Sequence, residues 1–256
     1  MISIQNLKKT FDGSRWVTNG LSLDIPSGQM TCIIGRSGEG KSLLLKQMVG
    51  LIRPTSGNII IDGVDITKLN HHERQDVFKT CGYVFQFAAL LDSLNVLENV
   101  GLSMIERGVP FAKIKPIVEE KLQQVNLIPK EVLYKYPSEL SGGMRKRVGL
   151  ARTLMSSPST ILYDEPTTGL DPITSRVVHE LLYNMQRKFN LTSVIVTHDV
   201  EFFKYADNIA LLYEGAIKYF GSAKTVWESD NPYVYQFVRG LAEGPIQTEQ
   251  VQKDAL

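Results

Sequence analysis

Long apolar stretches are missing from this 256-residue sequence: no uninterrupted run exceeds five residues, and Phe87 to Leu91 is one of them. A bilayer-spanning helix needs about 20. The opening Met1-Ile2-Ser3-Ile4 has no basic segment followed by an apolar one, so no leader peptide is expected. Any link to a membrane is therefore expected to run through a partner. Charge of one sign is also missing. Lys plus Arg is 28 and Asp plus Glu is 27, a net charge of +1, which excludes a global field for nucleic acid or anionic lipid. Only two cysteines occur, Cys32 and Cys81, both in apolar stretches. They predict buried thiols in a reducing, cytoplasmic compartment, with a disulfide or a metal pair as the alternative reading. No internal repeat is visible, so each motif occurs once.

What is present is an alternation of short β-type runs and helical ones, the mark of an α/β chain with a largely parallel sheet. Residues 2–7 and 21–25 alternate apolar and polar, predicting half-exposed antiparallel strands. Strands are also expected at 30–34, 58–62, 82–85, 160–163, 193–196, 208–213 and 216–219. From about Ser93 to Val125 the apolar spacing is helical, with Pro116 expected to mark a turn or kink. Tyr233, Phe237 and Leu241 form an i, i+4, i+8 stripe that calls for burial, and the polar stretch from Gly244 is expected to be loose in the free chain.

Three segments carry chemistry. Residues 35–42 read Gly35, Arg36, Ser37, Gly38, Glu39, Gly40, Lys41, Ser42, after an apolar strand and before a helix that Leu43 continues. This is the G-x-x-x-x-G-K-S pattern of a phosphate loop. The glycines let the backbone wrap a phosphate chain with its N–H groups inward, Lys41 reaches the β- and γ-phosphates, and the Ser42 hydroxyl binds Mg²⁺. Glu39 is an odd acid there; its side chain is expected to turn outward. Residues 160–165, T-I-L-Y-D-E, end an apolar strand in two carboxylates. Asp164 is placed to hold Mg²⁺ and Glu165 to activate a water. Residues 140–144, L-S-G-G-M, open a second helix whose N-terminus suits an anion.

With that third segment the chain resembles the ATP-binding cassette family, whose signature reads L-S-G-G-Q, over residues 1 to about 220. The resemblance implies a P-loop NTPase (RecA-like) α/β core with an antiparallel β subdomain and an inserted helical subdomain. The expected division is 1–86 and 157–220 for the core, 87–156 for the helical part and 221–256 for a C-terminal extension. It implies ATP and Mg²⁺, with Ser42, Gln86 and Asp164 at the metal and Glu165, Gln86 and His198 in catalysis. Ser141, Gly142, Gly143 and Asp171 would act across a head-to-tail dimer. Phe11 fits the aromatic that stacks on adenine, and Trp16, five residues on, offers the same ring face.

Met144 in the signature, the stretch at 86–100 and the ending at 229–246 resemble the ATPases of Mla-type phospholipid transporters. That resemblance implies two copies of this chain, transmembrane permease subunits, an MCE-domain protein and a STAS-domain subunit, on the cytoplasmic face of an inner membrane. Residues 244–256 would dock on the second ATPase or the STAS-domain subunit. Phe87, Leu90 and Leu91 are either permease contacts or core. The basic run Arg145, Lys146, Arg147 is expected as a solvated helix face that also meets the partner subunit, rather than a nucleic-acid site. An ATPase for another small solute would share all the ATP motifs. About 105 residues separate Gly35 from Leu140, too few for the coiled coils of DNA-repair members.

Overall fold

β1 (Ile2–Thr10) and β2 (Trp16–Ile25) pair antiparallel, Ile4 opposite Leu23, and alternation buries Ile2, Ile4, Leu21, Leu23 and Ile25, while a register shift between Ile4 and Leu7 returns Leu7 to the same core. The computed structural model describes residues 1–247, without the side chains of His71, Gln75, Asp76 and Phe78. After β2 come β3 (Met30–Ile34), α1 (Lys41–Met48), β4 (Ser56–Ile61), β5 (Val64–Asp65), α2 (His71–Thr80) and β6 (Cys81–Val84). β4 and β5 complete a four-stranded sheet ordered β2-β1-β4-β5, every pair antiparallel.

A helical segment follows: α3 (Val96–Ile105), α4 (Phe111–Gln124), α5 (Pro129–Val132) and α6 (Gly142–Thr153). Asn95 starts α3 with a capping box closed by Glu98. Val100, Ile114, Val118, Leu122 and Val148 carry the apolar stripes that hold α3, α4 and α6 together. Pro116 lies inside α4 without ending it.

The chain then returns through β7 (Thr160–Asp164), α7 (Pro172–Phe189), β8 (Thr192–Val196), β9 (Asn208–Tyr213), β10 (Ala216–Ser222) and α8 (Pro232–Arg239). The second sheet is ordered β10-β9-β3-β8-β7-β6, parallel except for edge strand β10. β3, β7 and β8 are buried along their whole lengths, as strands covered on both faces must be. Because β6, β7, β8 and β3 run the same way, Val84, Asp164, Val196 and Ile34 all finish on one edge. Ligands bind at that edge in open parallel sheets.

The structure differs from the sequence expectations in four places. α2 was not expected, because H-H-E-R-Q-D-V-F-K-T has too few apolar residues to show a helical period. The stripe on α8 is shifted: Val234 and Val238 are buried, Tyr233 and Phe237 flank them half-buried, and Leu241 lies past the helix end, exposed. The stretch from Gly244 is not loose at its start. Buried Gln236 donates to the Leu241 and Ile246 carbonyls at 3.2 and 3.0 Å and accepts the Ile246 N–H at 2.7 Å. A buried amide needs such partners, and the returning backbone supplies them. Gln247 then donates its N–H to the Tyr213 hydroxyl. Docking of the tail on a partner concerns residues 244–256, of which 248–256 lie outside the described residues.

The fourth difference is the basic run. Arg145 donates to the Leu140 carbonyl at 2.8 Å, Arg147 to that of Asn126 at 2.8 Å, and Lys146 to that of Gln86. These cations close loops as well as forming a partly solvated face, with Arg145 exposed and Lys146 and Arg147 half-buried. Cys32 and Cys81 are buried free thiols, as expected.

Candidate functional site

Beyond β3 the chain must reverse into α1 close to neighbouring backbone. A Cβ on Gly35 would lie 2.4 Å from the Leu212 carbonyl oxygen, and Gly40, the N-cap of α1, sits at φ +88°. Only glycine fits both demands. Ser37, Gly38, Gly40, Lys41, Ser42 and Leu43 then line a cavity of about 280 Å³, with Gln86 and Glu165 opposite.

Lys41 is 6% exposed and donates to the carbonyls of Gly35 and Arg36 at 2.8 and 2.7 Å. Burial holds its pKa below the usual lysine value, while Glu165, Glu39 and Asp164 oppose that shift. The ammonium sits in the loop meant for phosphate oxygens. Arg36 turns away and donates to the Gln247 carbonyl. Glu39 also turns outward, accepting the Glu214 N–H at 2.7 Å. That pins the acid to the turn between β9 and β10, away from an incoming phosphate.

Asp164 ends β7 and is 5% exposed. Its Oδ1 accepts from Ser42 Oγ at 2.6 Å and its Oδ2 from the Tyr83 hydroxyl at 2.9 Å. No cationic side chain pairs with it among the described residues. A buried carboxylate bonded only to hydroxyls is an incomplete arrangement that a cation would complete. Hydroxyl, carboxylate and the nearby Gln86 amide are hard oxygen donors, the set that suits Mg²⁺.

Glu165 adopts φ +49°, unusual for a residue with a side chain. Its N–H is tied to the Val196 carbonyl at 2.9 Å. The carboxylate accepts from Thr168 Oγ1 at 3.1 Å, and His198 Nδ1 lies 3.1 Å from Oε1 and 3.0 Å from Oε2. Acid and imidazole, 33 residues apart in sequence, are thus paired beside the lysine loop.

Ser141, Gly142, Gly143 and Asp171 do not line this cavity. Ser141 caps α6, accepting the Met144 N–H at 3.2 Å, and Met144 packs on the core. A Cβ on Gly143 would lie 2.6 Å from Thr174 Cγ2, so the signature is pressed against the start of α7. Asp171 caps α7, accepting the N–H groups of Ile173 and Thr174 at 3.0 Å. Its hydrogen bonds, from the Thr174 side chain first, hold its carboxyl below the usual range. Phe87 and Leu91 are exposed, whereas Leu90 packs on the core.

Phe11 is 68% exposed and Trp16 41%, each with a lysine near its ring. Phe11→Ala is expected to cost about 1 to 3 kcal/mol of nucleotide affinity, the range for loss of a stacked base. Trp16→Ala is expected to do little. A titration with fluorescent nucleotide separates the two; the reverse order transfers the role to Trp16.

Sequence reasoning missed His179, a lone histidine within an amphipathic helix. It is buried, with Nε2 3.2 Å from Thr167 Oγ1 and 3.7 Å from Asp199 Oδ2, so it ties the segment after Glu165 to the segment after His198. Burial pushes its pKa below 6.5; Asp199 and Glu201 pull upward and Lys204 downward. The folded state therefore holds this proton more weakly than the unfolded chain. Stability is full above about pH 6.5 and falls as pH drops below that value. Urea unfolding at pH 7.5 and 5.5 is expected to show a larger acid loss for the native chain than for His179→Asn. The slope difference is at most about 1.4 kcal/mol per pH unit. Equal losses would remove His179 from the acid response.

The sequence pattern of the ABC transporter family matches residues 18–168. The chain belongs to the ABC transporter family. As an ABC ATPase it is the ATP-binding, ATP-hydrolysing subunit of a transporter, and the family implies a dimer working with transmembrane permease subunits. No helix among the described residues is long and apolar enough to cross a membrane. A solved dimeric structure of an ATP-binding cassette in a post-hydrolysis state, bound to ADP and Pi, matches with a TM-score of 0.80 at 30% identity. The match covers 87% of this ABC ATPase and 99% of that chain. The probable ribonucleotide transport ATP-binding protein mkl of Mycobacterium leprae is 39% identical over 247 residues, covering 96% of this chain and 70% of its own. The intermembrane phospholipid transport system ATP-binding protein MlaF of Haemophilus influenzae is 36% identical over 257 residues, covering 99% and 96%.

Proposed function

We propose that this ABC ATPase binds MgATP between Gly35–Ser42 of one copy and Ser141–Gly143 of a second, and powers phospholipid transport between inner and outer membranes. The catalytic part rests on one observation, the Glu165–His198 pair beside the Lys41 loop. Lys41 exchanges the Gly35 and Arg36 carbonyls for phosphate oxygens. Glu165, held by the Val196 carbonyl, Thr168 and His198, takes a proton from the attacking water. Ser42, Gln86 and Asp164 would hold Mg²⁺, which would supply positive charge to the phosphate oxygens. The partner's α6 presents its N-terminus to the γ-phosphate. Departure of the cleaved phosphate after hydrolysis removes the charge that held the copies together. The helical segment 87–156 turns against the core of 1–86 and 157–220, driven through Gln86, whose carbonyl Lys146 holds.

The lipid reading is supported by the MlaF relative, whose similarity runs through 99% of this chain and so into the segment at 221–256. It carries with it an MCE-domain protein, a STAS-domain subunit and a peripheral place on the cytoplasmic face of the inner membrane. The mkl relative supports a second reading, an ATPase for another small solute. Purification of the assembled complex followed by lipid extraction and mass spectrometry tests the choice. Co-purifying phospholipid and an MCE-domain subunit are the expected result. A complex free of both, with ATPase activity stimulated by a small solute, would favour the second reading.

A further inference from the structure

Tyr83 lies on β6, which pairs in parallel with β7, Tyr83 opposite Leu162 and Val84 opposite Tyr163. That register brings the phenol, 81 residues away in sequence, to Asp164 Oδ2 at 2.9 Å. The ring is steadied from its own strand end: its centroid is 4.5 Å from that of Phe85. On the other side, Ser42 Oγ holds Oδ1 at 2.6 Å. The two carboxylate oxygens are therefore gripped separately, one by the phosphate loop and one by Tyr83. A carboxylate rotates easily about its last bond unless such contacts fix it. Groups that orient a ligand in this way typically contribute 10- to 100-fold to metal affinity.

We infer that Tyr83 is a positioning residue: its O–H fixes Asp164 Oδ2, so that Oδ1 stays turned towards Ser42 and the pair is set for a divalent cation. The proposal rests on the assignment of Asp164 to Mg²⁺ made above.

Tyr83→Phe removes one oxygen and keeps the ring against Phe85. Nucleotide binding is measured on the full chain with fluorescent ATP, first in EDTA, then against rising Mg²⁺, with Mn²⁺ binding followed separately by electron paramagnetic resonance. The expected result is unchanged affinity in EDTA, a metal midpoint raised about 10- to 100-fold, and hydrolysis restored by excess Mg²⁺. An unchanged metal midpoint overturns the proposal. So does an equal loss of affinity in EDTA, which would make Tyr83 a packing residue for the loop. Asp164→Asn, measured in parallel, tests the underlying assignment. If it leaves Mn²⁺ binding intact, Asp164 is not the metal carboxylate, and the fault lies there rather than with Tyr83.

Discussion

Glu165→Gln is expected to lower ATP turnover by about 10² to 10⁴ while leaving nucleotide binding intact. The amide keeps the size of the carboxylate and one acceptor for Thr168 and His198, but it does not take a proton from water. The backbone that aims it, at φ +49° and tied to Val196, is untouched. Phosphate release from the purified complex gives the rate, and a separate ATP titration gives the affinity. Normal turnover would remove Glu165 as the base.

Lys41→Ala acts at an earlier step. The ammonium is the cation inside the phosphate loop, and it now satisfies two carbonyls in place of two phosphate oxygens. A hydrogen bond to a charged group contributes about 1.5 to 3 kcal/mol, so its loss weakens ATP binding roughly 10- to 150-fold. Turnover at saturating ATP is expected to fall by a further factor of about 10² or more, because the lysine also meets charge that grows on the γ-phosphate. Isothermal titration separates the two effects. Unchanged affinity would place the phosphates elsewhere.

The elements governed by local pattern were legible in the sequence. Apolar runs such as M-T-C-I-I and T-I-L-Y became the buried parallel strands, and the glycine-rich turn leads from β3 into a helix that starts at Lys41. Glu39 was expected to face outward, and the Glu214 N–H is what turns it there. Residues whose roles depend on distant partners were not legible. Tyr83 reads as an ordinary strand residue until β6 and β7 pair, and His179 as a core histidine until Thr167 and Asp199 meet it. Lys146 looked solvated because nothing in R-K-R points to a carbonyl 60 residues earlier. The return of residues 241–247 onto Gln236 depends on one buried amide, which no periodicity reveals.

Under the proposed function, one chain holds only half of each ATP site. Gly143 sits against α7, and neither it nor Ser141 lines the Lys41 cavity, which is why the proposed function brings the signature to ATP from a second copy. Sedimentation of the Glu165→Gln chain with and without MgATP tests this most directly. Monomers are expected without ATP, dimers with it, and a return to ATP-bound monomers when Ser141→Arg is added to the same chain. A chain that stays monomeric with bound ATP, or dimers that survive Ser141→Arg, would contradict it.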